Sequence, residues 1–322
     1  MKINVIIPMY NVEKYIEKCL DSVQKQTFDD FEVIIVDDGC TDLSVSNAKR
    51  CLEGMRYQII NKKNAGLPQA RMTGLEHATA EYIFFLDADD WIEPDTLQTL
   101  YDLIVKEQAD IVCCNILLDD IEGNCLGTLK AQKNGCYEIE DAIRAVHEVT
   151  GVYTYMWNKL FRTEILKPKY FPTGHFIGED YCSLFAVLLD KPLKIVHNDK
   201  ALYHYVQHGN NMTKAGYGES FRLSYERFHD MEQRILSKYP TLTKPEKNYI
   251  LVQDMAILNS MMRNGNYNEQ FMKDIIQSIR KILMNFLFCS NVKLLYKGSA
   301  FVIAINWKLY RIVYLCLLKR TS

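Results

Sequence analysis

The sequence predicts an α/β fold with a mostly parallel central sheet, followed by a C-terminal helical region. Three observations predict it. Apolar runs of strand length (Ile3–Pro8, Glu32–Asp37, Glu81–Leu86 and Asp110–Leu117) show little polar alternation, so both of their faces are covered. Helical patterns lie between these runs, two of them opening on a proline at Pro68 and Pro94. From about Gly218 the helical pattern continues without a clear strand.

Taken in order, Ile3–Pro8 reads as the first strand, Val12–Gln26 as an amphipathic helix and Glu32–Asp37 as the second strand. Tyr57–Ile60 reads as a third strand and Pro68–Ala78 as a helix. Glu81–Leu86 is a buried strand, Pro94–Glu107 a helix, and Asp110–Leu117 another buried strand. Asp119–Cys136 is polar and Gly-rich, a loop or hairpin, and mixed signals resume from Glu138 to about Tyr205. A boundary near 215 divides an α/β domain, 1–215, from a helical region, 216–322. Within the first, 1–117 forms one half and 118–215 the other.

The 322 residues are 48% hydrophobic and 24% charged, which suits a globular chain with a sizeable core. The ten cysteines are scattered and form no CxxC pair, and several sit in apolar runs. They read as reduced, and with no signal-peptide pattern at the start the expected location is cytoplasmic. The net charge is only −2, yet no acidic residue follows Asp274, whereas Arg280, Lys281, Lys293, Lys297, Lys308, Arg311, Lys319 and Arg320 do. The body is acidic and the tail basic.

In open α/β sheets ligands bind at the carboxyl ends of the strands. Here those ends read Pro8-Met9-Tyr10-Asn11, Asp37-Asp38-Gly39-Cys40-Thr41-Asp42 and Asp87-Ala88-Asp89-Asp90-Trp91. Carboxylates crowded on one edge repel unless a cation or a ligand's donors offset them. Hard oxygen donors suit Mg2+ or Mn2+, which leave coordination positions for phosphate oxygens. Taken singly, Asp-Asp-Gly is a common turn and Asp-Ala-Asp-Asp a helix cap. All three together at successive strand ends argue for a site.

These segments, with Asn64-Ala65-Gly66, Ala70-Arg71, Trp157-Asn158-Lys159-Leu160-Phe161 and Gly178-Glu179-Asp180, resemble the family 2 inverting glycosyltransferases of GT-A fold, of the kind that builds bacterial polysaccharides and glycolipids. The resemblance covers roughly residues 3–213. It implies a hexosyl- or N-acetylhexosaminyltransferase. Pro8 and Tyr10, with Asn11, would wall the base and ribose pocket, and Asp38 would accept a hydrogen bond from uracil, which implies a UDP-sugar donor. Asn64, Gly66 and Arg71 would close over the nucleotide. Asp87-Ala88-Asp89 matches the DxD motif, with Asp87 near the ribose and Asp89 ligating a divalent metal, Mn2+ or Mg2+. Asp180 matches the catalytic base that deprotonates an acceptor hydroxyl for a single inverting displacement, and Glu179 beside it is an acceptor-side candidate. Trp157 and Lys159 would either line the acceptor pocket or pack beneath it.

One stretch departs from the family. Where Tyr-x-Tyr-Arg and a following Ser are usual, the chain has Tyr203-His204-Tyr205-Val206 and then Asn211. His204 or His208 is the expected substitute, as a phosphate donor or metal ligand, with an ordinary loop role as the alternative. A dinucleotide oxidoreductase is excluded because no GxGxxG follows a strand. A phosphatase-like DxD hydrolase fits poorly because Asp90 and Trp91 follow the motif and three strands precede it. A non-catalytic sugar-nucleotide or glycan-binding module of the same fold is disfavoured by the intact Asp38, Asp89 and Asp180.

The resemblance further implies a glycan or lipid-linked acceptor of polyprenyl diphosphate type. Nucleic acid is not among the expected partners, and a homodimer stays open. Ser299–Leu318 approaches the length of a membrane span, but Lys308 and Arg311 at its middle would each cost roughly 2.5–3.5 kcal/mol there. Read as a helix, residues 299–322 place Val302, Ile303, Trp307, Tyr310, Val313 and Tyr314 on one arc, away from Lys308, Arg311 and Lys319. The expectation is a basic amphipathic tail on the inner face of the cytoplasmic membrane. A helix that caps the catalytic domain or pairs with a second subunit is the alternative.

Overall fold

The computed structural model describes residues 1–148, 150–174, 176–208, 220–264, 268–289 and 292–321, the side chains of 264 and 317–321 excepted. It forms two units, Met1–His175 with Glu179–Asn211, and Phe176–Gly178 with Met212–Ser322.

The first unit opens with β1 (Ile3–Met9), buried along its whole length, α1 (Ile16–Gln24) and β2 (Phe31–Asp37), whose last five residues are buried. Then come α2 (Ser44–Cys51), β3 (Tyr57–Asn61), α3 (Leu67–His77), β4 (Tyr82–Phe85), β5 (Trp91–Ile92) and α4 (Thr96–Glu107). The unit continues through β6 (Ile111–Asp119), β7 (Cys125–Leu129), β8 (Gly135–Tyr137), α5 (Ile139–His147), β9 (Lys159–Arg162), α6 (Glu179–Asp190) and β10 (Ile195–Val206).

The sheet runs β3-β2-β1-β4-β9-β6-β10-β5, parallel from β3 to β4 and again between β6 and β10. Strand β9 enters antiparallel between β4 and β6. The segment expected to be a loop or hairpin forms a hairpin of β7 on β6 and supplies a further short strand, β8. Strand β7 pairs with β6 and β8 with β10, both antiparallel. The chain moves outward from β1 through β2 to β3 and then crosses to β4 on the other side of β1. That reversal opens a crevice at the carboxyl ends of these strands, where α/β sheets receive ligands. The core beneath it joins Val5, Ile7, Leu20, Val33, Phe84, Leu100 and Leu160.

Helix α2 has no counterpart in the sequence reading because its signal is weak. Only Ser44 and Ala48 are buried, and the helix is launched by Asp42, whose Oδ1 accepts from the Ser44 N–H (3.0 Å) and hydroxyl (2.6 Å).

The second unit holds α7 (Ser220–Lys238), α8 (Thr243–Asn264), α9 (Glu269–Leu287) and α10 (Leu294–Thr321), packed through residues such as Phe228, Ile235, Leu258, Ile275 and Phe286. Helix α10 is broken at Asn306 (φ −146°, ψ 87°), whose side chain accepts from the Leu309 N–H at 3.1 Å and caps the second half.

The facing expected of this helix is corrected. Ile303 and Tyr310, placed on the outward apolar arc, are buried within the unit, with Ala300 and Ala304 beside them. The helix is apolar on two sides, and the side carrying tyrosines turns inward because their hydroxyls find partners there. Tyr310 donates to Asn259 Oδ1 (3.0 Å) and Tyr314 accepts from Arg263 (2.9 Å).

Candidate active site

One side of the crevice is built on the ends of β1 and β2. Pro8 is buried inside β1 opposite Val36, so it supports the wall rather than facing the crevice, and Tyr10, half exposed, stands at the strand end. Asn11 adopts φ 50°, a left-handed conformation that asparagine tolerates, and its Oδ1 accepts from the Thr41 N–H at 2.8 Å. The two strand-end loops are thereby stitched together.

Asp38 is buried, and its carboxylate organises the neighbouring turn. It accepts from Lys62 Nζ (2.7 Å), the Ala65 N–H (3.0 Å) and the Gly66 N–H (2.9 Å). This holds the Asn64-Ala65-Gly66 turn against β2 and sets the start of α3. Gly66 has φ 91°, open to glycine but strained for other residues, and a Cβ on Gly39 would meet the Asn64 nitrogen at 3.2 Å. Lys62 and Ala65 escaped the sequence reading. Their signal is the register that sets Asp37 opposite Asn61, which only the paired strands reveal.

The chemistry converges on Arg71. It lies on α3, is 1% exposed, donates to Asp87 Oδ1 at 2.7 Å, and donates to Asp180 Oδ1. One guanidinium therefore joins the DxD loop after β4 to the first turn of α6. Burial alone would lower its pKa, but Asp180 and Asp87 raise it, so it stays charged. Burial pushes the Asp87 carboxyl up to about 6, against the pull of Arg71 and with help from Asp89 and Asp180. Burial, then the charge of Asp180, pushes Glu179 up to about 7. Asp180 Oδ2 also faces the Met156 N–H at 3.4 Å.

Within the DxD motif the side chains part. Ala88 is buried, whereas Asp89 keeps 29% of its side chain exposed. Asp90, outside the sequence-derived site, points inward, where it accepts from the Tyr203 hydroxyl (2.8 Å) and the Val206 N–H (2.8 Å). Val206, at the position usual for arginine, thus contributes its backbone to the loop's anchorage.

The two candidate histidines separate cleanly. Both ring nitrogens of His204 are engaged, Nδ1 by Asp119 (2.8 Å) and Nε2 by Glu93 (3.0 Å), and its ring stacks on Trp91. It is a buried structural residue, which corrects its candidacy as a metal or phosphate ligand. His208 instead brings Nε2 to 2.8 Å from Asp89 Oδ2 and stacks on Tyr15. Gly209–Thr213, including Asn211, lie outside the described residues.

The fit to a divalent cation rests on this pair. Asp89 and His208 offer a carboxylate oxygen and an imidazole nitrogen close enough to share one ion, a donor set that suits Mn2+. Among the described residues no three His, Cys, Asp or Glu side chains cluster to enclose a metal. The protein would supply few ligands and leave the rest to diphosphate oxygens and water.

Trp157 and Lys159 are not acceptor-lining side chains. Trp157 is 3% exposed and stacks between Tyr155 and Tyr203, each 4.3 Å away. Lys159 is fully buried, and its ammonium donates to the Tyr153 carbonyl (2.9 Å), the Tyr155 carbonyl (2.7 Å) and Asn158 Oδ1 (2.6 Å). It ties down the segment leading into β9. The partly exposed aromatics Tyr155 and Tyr205 flank Trp157.

Comparison with known proteins bears on the family and the fold. Over 215 residues, 63% of this chain, it is 37% identical to Glycosyltransferase GlyA of Streptococcus pneumoniae, a match spanning only 30% of that longer protein. It is 27% identical to the uncharacterized glycosyltransferase EpsJ of Bacillus subtilis over 87% of this chain and 83% of that one. Among solved structures, residues 1–349 of Staphylococcus aureus TarS, in complex with UDP-GlcNAc, share the fold with a TM-score of 0.69 at 21% identity, covering 99% of this chain and 92% of that one. Residues 4–178 match glycosyl transferase family 2, more than half of the chain, and the protein belongs to that family.

Proposed function

We propose that the chain transfers a sugar from a UDP-sugar to a hydroxyl of a glycan or lipid-linked acceptor by a single inverting displacement, with Asp180 as general base. The observation that carries this reading is the meeting of Asp87 and Asp180 on one buried guanidinium, which brings the donor motif and the base to one point. A hydroxyl is a poor nucleophile, and a carboxylate within reach of its proton raises its reactivity. Arg71 holds the Asp180 carboxylate by a direct hydrogen bond. Donor phosphates that drew the guanidinium toward them would free that carboxylate where the acceptor arrives. The UDP-GlcNAc complex of TarS supports a uridine donor, and Asp38 would receive the base while it holds the turn beneath.

Asp89 and His208 would hold a divalent cation, which when bound neutralises charge on the leaving diphosphate. A mannosyltransferase of Pyrobaculum calidifontis with the same fold (TM-score 0.54, 17% identical) was solved with GDP-Man and Mn2+, which supports that assignment. Asp87 would face the ribose, and Tyr10 and Asn11 the nucleoside.

A second reading of the base has one observation in its favour. Glu179, held up at about 7, changes charge near neutrality, where a proton acceptor is most useful. The acceptor is proposed to be lipid-linked and the enzyme cytoplasmic, held at the inner membrane surface by its C-terminal unit.

The test is turnover of a panel of UDP-, GDP- and dTDP-sugars, with the anomeric configuration of the product read by NMR. UDP-sugars should be used and the configuration inverted. Retention, or a preference for GDP-sugars, refutes the proposal.

A further inference from the structure

Helix α10 presents an exposed apolar stripe that no other element covers among the described residues. Leu294, Phe301, Ile305, Leu309 and Ile312 are 83%, 47%, 63%, 51% and 62% exposed, and they recur every three or four residues along one face once Gly298 is included. Exposed apolar residues of the stripe stand on both sides of the break at Asn306. At the end of α9, Met284 and Phe288 are 63% and 80% exposed. Apolar surface so extensive on an otherwise soluble-looking unit signals an interaction face.

By length and composition Leu294–Cys316 is apolar enough to cross a membrane. Its other face, however, is committed to the protein. Tyr310 and Tyr314 bond Asn259 and Arg263, and the Ala304 carbonyl accepts from Arg280 Nε at 2.7 Å. Spanning would strip these bonds and bury Lys308, whereas lying in the plane of an interface keeps all of them.

The charge on the page selects the occupant. Lys281 and Lys308 are exposed on the same two helices, Lys293 is exposed immediately before α10, and the chain carries no acidic residue beyond Asp274. A second copy of this surface would bring like charges together, whereas an anionic bilayer complements them.

We infer that the outward stripe Leu294–Phe301–Ile305–Leu309–Ile312 is an in-plane docking face for an anionic lipid bilayer. This deepens the membrane-surface reading above and rests on it, and it assigns the docking to residues opposite the tryptophan and tyrosine arc.

The experiment is flotation of the full-length protein with vesicles of phosphatidylcholine alone or with about one third phosphatidylglycerol. Binding should need the anionic lipid, weaken in high salt, and fall at least tenfold in the double variant Ile305→Glu, Leu309→Glu. Both positions are exposed, so the helix should still pack. The second variant, Lys293→Glu with Lys308→Glu, should also lose anionic binding, and circular dichroism checks that both variants fold. Failure of the full-length protein to float overturns the inference, as does equal binding to neutral vesicles or resistance to alkaline carbonate extraction, which marks spanning. A shift from dimer to monomer in the Glu variant without flotation assigns the stripe to a second copy instead. UDP-sugar hydrolysis measured without vesicles reports the transferase reading separately, so the two cannot fail unnoticed together.

Discussion

Replacing Arg71 by Met would remove the one guanidinium that Asp87 and Asp180 share while keeping most of the side chain's length. Arg71 is 1% exposed, and the carboxylates it holds are 18% and 15% exposed. Breaking a buried ion pair by deleting one partner costs about 3–5 kcal/mol, because the remaining charge has no counter-ion. For a unit of this size each kcal/mol moves Tm by roughly 2–4 °C, so a loss of roughly 6–20 °C is expected at pH 8. The loss should shrink in acid, and the sign follows from Glu179. Its carboxyl sits at about 7 in the folded chain against an ordinary 4.5, so the folded state binds its proton more tightly than the unfolded state does. Stability is therefore lost as pH rises from about 4.5 to about 7. Arg71 moderates that rise, so the variant should suffer more above pH 7 and regain stability near pH 5. Thermal melts followed by circular dichroism at both pH values make the measurement. An equal loss at pH 5 and pH 8, or none at either, would show that Arg71 is not the counter-ion of this cluster.

Asp180→Asn should leave UDP affinity within a few-fold while transfer falls by roughly 10²–10⁴; parallel loss of binding, read by calorimetry, would move the base to Glu179. Asp89→Ala should lower turnover by several orders of magnitude, and chelation should do the same to the wild type, with Mn2+ restoring only the wild type; full activity in chelator would refute the metal assignment. Glu179→Gln should gain up to about 3 kcal/mol in urea denaturation at pH 8 and almost nothing at pH 4, since its uncharged amide escapes the cost of ionising a buried acid. Lys159→Met should destabilise by about 3 kcal/mol or more, because carbonyls bonded to the ammonium lose their donor; an unchanged Tm with a raised acceptor KM would return Lys159 to the acceptor site.

The sheet was legible because its strands are buried on both faces, and burial on both faces writes itself into sequence as an unbroken apolar run. Helix α2 and strands β7 and β8 bury little, and half-exposed short elements leave no such mark. The site divides in the same way. Asp38, Asp87 and Asp89 stand at successive strand ends, where crowded carboxylates need a reason, so they could be read as a set, whereas Asp180 at a helix start entered only through the family resemblance. What each carboxylate faces could not be read. The distances in sequence are 109 residues between Arg71 and Asp180, 119 between Asp89 and His208, and 24 between Lys62 and Asp38.

This has a consequence for the histidines. In sequence His204 and His208 are equivalent, each near a missing arginine, and only pairing distinguishes them. Because β5 lies antiparallel to β10 and β6 parallel to it, His204 is placed between Glu93 and Asp119, and both its nitrogens are engaged before any ligand arrives. His208 lies two residues past the end of β10, beyond the sheet's hydrogen bonds, and so can turn toward Asp89. The strand end that fixes one histidine in the core releases the other to the donor motif. We propose that His208, from beyond the strand, stands in for the arginine absent at Val206, since it reaches the Asp89 carboxylate.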